Sequence, residues 1–155
     1  MTTVKLVEIT KDSVRDVIKL DVGKDQDGLV APNSISLAQA HFEPGVWFRA
    51  IKAGDTFVGF VQILDPALSD EGLTEKEKEE VYLWRFMIDA NHQKNGYGAA
   101  ALDELSAYAR TRPGVKRIVA SFVPKDTGPE GFYMKYGFEK TGNIVEGEVE
   151  ISLDL

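Results

Sequence analysis

Val81–Ile88 is an almost unbroken apolar run, and polar residues 89–95 close it. Eight residues is short for a helix, so the run reads as a strand buried on both faces at a central sheet position. Directly behind it, Gly96 and Gly98 open a helical pattern. Leu102, Leu105 and Ala109 share one face of that helix, Tyr108 lies beside it, and Pro113-Gly114 stops it. A buried strand, a glycine turn and an amphipathic helix in succession require helices packed on a sheet.

The rest of the chain fits that frame. Val4–Ile9 reads as a first strand, and Asp12 or Ser13 caps a helix running through Leu20. Polar residues 21–33 form a loop, after which Asn33 or Ser34 caps a short helix, Ile35–Phe42. Val46–Ala50 and Thr56–Leu64 read as strands joined by a turn at Ala53-Gly54-Asp55. An acidic loop with a short charged helix covers 65–80. Arg117–Val123 is a further strand. Thr127 and Glu130 have capping-box spacing for a helix through Tyr136, which Gly137 ends. Phe138–Thr141 and Glu148–Leu153 are final strands around a turn at 142–147. The expected fold class is α/β with a mixed sheet, in the order β-α-α-β-β-β-α-β-α-β-β, as a single domain over 1–155.

Composition narrows the function. The chain carries 18 Lys+Arg against 25 Asp+Glu, a net charge of −7. That opposes a general nucleic-acid surface. Residues 65–80 hold seven acids and two bases, and 139–154 five acids and one base. Residues 91–138 hold seven bases and four acids, so an anionic ligand sits more easily there. There is no cysteine, which removes disulfides, thiolate metal sites and a cysteine nucleophile. With only His41 and His92, no metal site is expected. The absence of a secretion signal at the N-terminus and of any membrane-length apolar run points to a cytoplasmic protein without a membrane partner.

The segment Gln93-Lys94-Asn95-Gly96-Tyr97-Gly98-Ala99 carries the chemistry. The first N–H groups of a helix lack intrahelical partners and lie at its positive end, which suits phosphate. Gly96 and Gly98 let backbone approach a ligand without a Cβ between them, and Lys94 adds charge. A plain strand-to-helix turn would use the same residues. The dinucleotide pattern GxGxxG is absent, as is the GKS or GKT of a P-loop.

Gln93-x-x-Gly96-x-Gly98 resembles the (Arg/Gln)-x-x-Gly-x-(Gly/Ala) motif of the GCN5-related N-acetyltransferases (GNAT family). Downstream, Phe132-Tyr133-Met134-Lys135-Tyr136-Gly137-Phe138 resembles that family's Phe/Leu-Tyr-x-x-x-Gly-Phe signature. The element order fits the GNAT fold over nearly the whole chain. Trp84–Asp89 and 139–148 look most like the bacterial spermine/spermidine (diamine) acetyltransferases.

The resemblance implies acetyl-CoA as co-substrate and a small-molecule primary amine, such as a polyamine, as acceptor. It places the pyrophosphate on Gln93, Lys94, Asn95, Gly96, Tyr97, Gly98 and Ala99, and the pantetheine beside the backbone of Met87 and Ile88. One N–H there would polarise the thioester carbonyl. Tyr133 takes the role of general acid toward the leaving thiolate, the alternative being a core tyrosine at the helix–sheet interface. Asp126 stands where the family often has an asparagine near the pantetheine, and Lys135 and Lys125 are candidates for the CoA phosphates or else plain solvated surface lysines. Phe132 and Tyr136 read as core, and His92 as exposed. Family members are often homodimers, so a second copy is among the expected partners.

Some polyamine acetyltransferases carry a glutamate where this chain has Trp84. Trp84 cannot act as base; it either lines the acceptor pocket by cation–π contact or packs in the core. Glu80, Glu148 or a water chain is left as base. Asp25, Asp27, Glu146, Glu148 and Glu150, with the acidic stretch 65–80, would suit a cationic amine, although acidic side chains also serve plain solubility. Two alternatives stay open: a non-catalytic acyl-CoA-binding module, and an N-acetyltransferase acting on protein or peptide amines.

Overall fold

The computed structural model describes residues 3–24 and 28–155. Seven strands form one sheet: β1 (Val4–Val7), β2 (Val46–Ala53), β3 (Thr56–Leu64), β4 (Glu80–Ile88), β5 (Arg117–Phe122), β6 (Glu139–Val145) and β7 (Glu148–Asp154). Their spatial order is β1-β2-β3-β4-β5-β7-β6, which puts β4 in the middle. Only β4 and β5 run parallel; every other neighbouring pair is antiparallel. Among the described residues four α-helices cover the faces: α1 (Val14–Ile18), α2 (Asn33–Ala40), α3 (Tyr97–Arg110) and α4 (Glu130–Tyr136).

The two faces bury different sets. Ala101, Leu102, Leu105 and Ala109 of α3 and Tyr133 of α4 pack with Ile51, Val61, Val81, Leu83, Ile118, Ala120 and Ile151. On the other face Val17 of α1 meets Ala50, Phe60 and Met87, with Leu37 of α2 against them. The helical spacing of Leu102, Leu105 and Ala109 is what buries α3 completely along one side. Among the described residues no helix is long and apolar enough to cross a membrane.

β4 departs from the expected strand buried on both faces. Val81, Leu83 and Met87 are buried, while Tyr82, Trp84, Arg85, Phe86 and Ile88 are half-buried. Two irregularities explain this. Arg85 pairs with Gln62 but Leu83 pairs with Ile63, so Trp84 is an extra residue, a β-bulge. The parallel pairing to β5 also stops at Leu83–Ala120. Beyond it the two strands separate.

Element boundaries differ where capping was the expected signal. Ser13 precedes α1, but its hydroxyl accepts the Thr10 N–H at 2.9 Å rather than a helix N–H. Asn33 lies inside α2, not at its cap: it is buried and donates through Nδ2 to the Val17 carbonyl at 2.9 Å, tying α2 to α1. The capping box at Thr127 does not set the start of α4, because Pro129 occupies the cap position. The last turn is narrower than 142–147. β6 continues to Val145, and Glu146 and Gly147, with φ of 52° and 81°, make the reversal.

Candidate functional site

The separation of β4 from β5 opens a cavity of about 930 Å³. Its walls come from Trp84–Ile88 on β4, Ser121–Val123, the start of α3, α4, and Leu29–Ala31 before α2. Asp89 N–H bonds the Val58 carbonyl at 2.8 Å, so alternation along β4 turns the amide groups of Phe86 and Ile88 toward the open side. Met87 backbone pairs with Phe60 of β3 instead. The Ile88 carbonyl is occupied by Gln93 Nε2 at 2.9 Å. The N–H of Ile88 and the N–H and C=O of Phe86 are thus the strand edge offered to an extended ligand, which corrects the expected pair Met87 and Ile88.

At the other end lies the glycine turn. Gly96 precedes α3 with φ of +80°, a conformation that disfavours any side chain. The first bond of the helix is Ala100 N–H to the Gly96 carbonyl at 3.1 Å, which leaves Tyr97, Gly98 and Ala99 N–H without intrahelical partners. Gly98 has a different reason from the one expected: a Cβ there would lie 3.0 Å from two ring atoms of Phe132. The nearest neighbour to that missing Cβ is a protein ring. Lys94 stands at φ 66° and lines the cavity with Gln93, Gly96, Tyr97, Gly98, Ala99 and Lys135. Asn95 does not; its Nδ2 donates to the His92 and Gln93 carbonyls and stiffens the turn. Asp126 and Lys125 are exposed and away from the cavity wall.

α4 brings Tyr133 to the cavity wall. It is 6% exposed, and its hydroxyl has no hydrogen-bond partner among the described residues. Burial pushes its pKa above the usual phenol value, with Tyr82 adding to the effect. Phe132 is not core: it is 36% exposed and stacks on Phe86, 6.1 Å between centroids. Tyr136 packs against the core and donates to Asp103 at 2.7 Å. His92 is half-buried and lines the cavity, rather than standing exposed.

Of the described acidic residues expected to face an acceptor, Glu148 is the one that lines the cavity. Glu148 lines the cavity and accepts the Ser121 hydroxyl at 3.0 Å; Ser121 in turn meets Tyr82 at 3.1 Å. Glu146 sits in the hairpin turn, and Glu150 is engaged by Thr141 and Asn143. Glu80 pairs with Arg117 at the far end of β4. The acidic stretch 65–80 is also at that far end, where Asp65 holds Arg112 at 2.8 Å and Glu79 pairs with Lys116 and Arg117. Asp25 and Asp27 lie outside the described residues. Trp84 lines the cavity, but the cation over its ring is Arg85 of this chain, at 4.9 Å.

Two residues were missed. Asp89 is 8% exposed; its carboxylate accepts Asp21 N–H at 2.9 Å and Asn91 N–H at 3.1 Å, binding the loop after α1 to the loop after β4. An aspartate ending an apolar strand was its only local signal. Arg85 was hidden within an apolar run.

A family model for the acetyltransferase (GNAT) family matches residues 16–138. The chain belongs to the GNAT acetyltransferase family. No curated protein matches the sequence. Solved structures share the fold at low identity. The GNAT domain of S. lividans PAT superimposes with a TM-score of 0.72 at 19% identity, covering 99% of this chain and 90% of that one. AAC(6')-Ib, an aminoglycoside acetyltransferase, in complex with ribostamycin and coenzyme A gives 0.70 at 16%, covering 99% and 93%. A GNAT family acetyltransferase from Elizabethkingia anophelis with acetyl-CoA bound gives 0.64 at 14%, covering 99% and 98%.

Proposed function

We propose that this GNAT protein is an N-acetyltransferase that uses acetyl-CoA to acetylate the primary amine of a small molecule by direct attack in a ternary complex. One observation carries the reading. One cavity is lined by the unpaired edge of β4, the start of α3 and Tyr133. The structures with coenzyme A and with acetyl-CoA bound share this fold.

The co-substrate supplies the acetyl thioester. Tyr97, Gly98 and Ala99 N–H with Lys94 and Lys135 would hold its phosphates, and the edge at Phe86 and Ile88 would pair with its extended arm. Ile88 N–H would stabilise charge developing on the carbonyl oxygen. A primary ammonium of pKa about 10 must lose a proton before its nitrogen can form the new C–N bond. Glu148 is the cavity carboxylate that takes that proton, directly or through water. Breaking the C–S bond leaves a thiolate, the conjugate base of a thiol of pKa about 8.5. Tyr133, held neutral by burial, donates to that sulfur, and the second amine proton replaces the one it gives.

Incubation with acetyl-CoA and a panel of primary amines, reading CoA release, tests this. Amine-dependent release supports it. CoA binding without release for any amine would favour the non-catalytic module instead. Glu148 is the carboxylate here that would favour a cationic polyamine.

A further inference from the structure

Arg85 is a guanidinium set in the middle of an apolar strand, and the bulge at Trp84 turns it onto the α1–α2 face beside Met87. Its Nη1 donates to the Trp84 carbonyl at 3.1 Å and its Nη2 to Gln39 Oε1 at 3.2 Å. A guanidinium has five N–H donors, so three are left over, one on each Nη and the one on Nε. Nε is buried with no hydrogen-bond partner. Among the described residues no carboxylate lies within 4.0 Å of Arg85. Gln62, its cross-strand partner, is fully buried with both amide atoms unpartnered. Ser36, one turn before Gln39 on α2, is also buried with an unpartnered hydroxyl. Buried polar atoms are normally paired, and in this corner Nε of Arg85, the Gln62 amide and the Ser36 hydroxyl have no partner.

Burial lowers the pKa of Arg85, opposed by Tyr82 and Glu148. Glu148 reaches it only as a distant charge. Besides Lys94 and Lys135 near the glycine turn and α4, the cavity wall therefore holds Arg85 and Glu148, which do not pair with each other. A polyamine answers the anion and repels the cation. A molecule bearing both an ammonium and a carboxylate answers both.

We propose that the acceptor amine carries a carboxylate, held end-on by the two free Nη–H groups of Arg85, with its ammonium directed to Glu148. This rests on the acetyltransferase reading above. The carboxylate is not consumed; it orients the nitrogen toward the thioester. Planar guanidinium donors match a carboxylate in a way that a lysine would not.

The experiment compares matched amines with and without the carboxylate, in the presence of acetyl-CoA: lysine against cadaverine, phenylalanine against phenethylamine, 4-aminobutyrate against propylamine. At least one carboxylate-bearing member should exceed its partner in kcat/KM by about tenfold or more, the worth of one charge-assisted pair. Arg85→Gln should abolish that preference mainly through KM, and Arg85→Lys should restore only part of it. CoA affinity by titration calorimetry should be unchanged in both variants, which separates a lost contact from a lost fold. If the decarboxylated amines are used equally well or better, the carboxylate is not read, although the acetyltransferase reading stands. If no member of any pair is acetylated, both readings fail for small amines. If the variants do not fold, the matched pairs with the unaltered protein decide the matter.

Discussion

The two halves of β4 have almost the same composition and opposite fates. Glu80–Leu83 is hydrogen-bonded to β5 and flanked by β3, and its outer end is sealed by charge pairs. Asp65, 1% exposed, takes Tyr108 hydroxyl at 2.7 Å and Arg112 at 2.8 Å, and Trp47 stacks on Tyr108 at 4.2 Å. Arg85–Ile88 keeps β3 and loses β5, and its free edge faces the cavity. Apolar sequence alone therefore does not decide burial. Pairing on the second edge does, and one extra residue separates the two regimes.

Four changes test this contrast, in falling order of effect. Asp65→Ala strands Arg112 and Tyr108 in the closed half and should cost about 3–5 kcal/mol in denaturant unfolding, without touching CoA affinity. A loss of CoA affinity that matches the loss of stability would show that the halves are not independent. Tyr133→Phe acts in the open half. It should lower kcat by about 100-fold, roughly 2.7 kcal/mol, with CoA affinity kept. Unchanged turnover removes Tyr133 from the reaction. Gly98→Ala should lower stability by about 1 kcal/mol, since Phe132 must move off Phe86 to admit the Cβ. Phe132→Ala should relieve that penalty in the double variant; additive losses would mean that the ring is not the obstacle.

The smallest effect is on alkaline pH. The Tyr108 hydroxyl is pushed up to about 12 from its ordinary value of 10, first by burial and then by its hydrogen bond to Asp65. A raised folded-state value means that the native protein holds the proton longer than the unfolded chain. The stabilisation is complete below pH 10 and is lost as pH rises from 10 through 12. Tyr108→Phe should flatten the fall in chemical stability across that interval. A slope that is unchanged would assign it to other groups, such as the buried Tyr133.

The central strand, the glycine turn and the α3 helix were legible because each is a local pattern: an apolar run, a positive-φ position and a 3.6-residue period. The bulge at Trp84 was not, since it depends on register with β3. Asp89 and Gln93 were unreadable as braces because their partners, Asp21 and Val22, sit about 70 residues away. The charge split also misled in part. Of the bases in 91–138, Lys94 and Lys135 line the cavity, but Arg112, Lys116 and Arg117 neutralise Asp65, Glu79 and Glu80 at the closed end. Much of the apparent acidity of 65–80 is spent there and not on an acceptor.

The extra residue at Trp84 also acts as a phase slip in the inside–outside alternation of the strand. Val81 and Leu83 belong to the α3 side, and an unbroken alternation would send Arg85 and Met87 after them into that core. The slip exchanges the parity, so Arg85 and Met87 face α1 and α2 while Phe86 and Ile88 pack toward α3. A polar-substitution scan along β4 should therefore show intolerance at odd positions up to 83 and at even positions on the α3 side beyond it. Straightening the strand with Trp84 retained would drive the guanidinium into the α3 core, whereas deleting Trp84 would leave Arg85 next to Leu83 and still on the α1–α2 side; the bulge is what lets this core strand carry a charge at its centre.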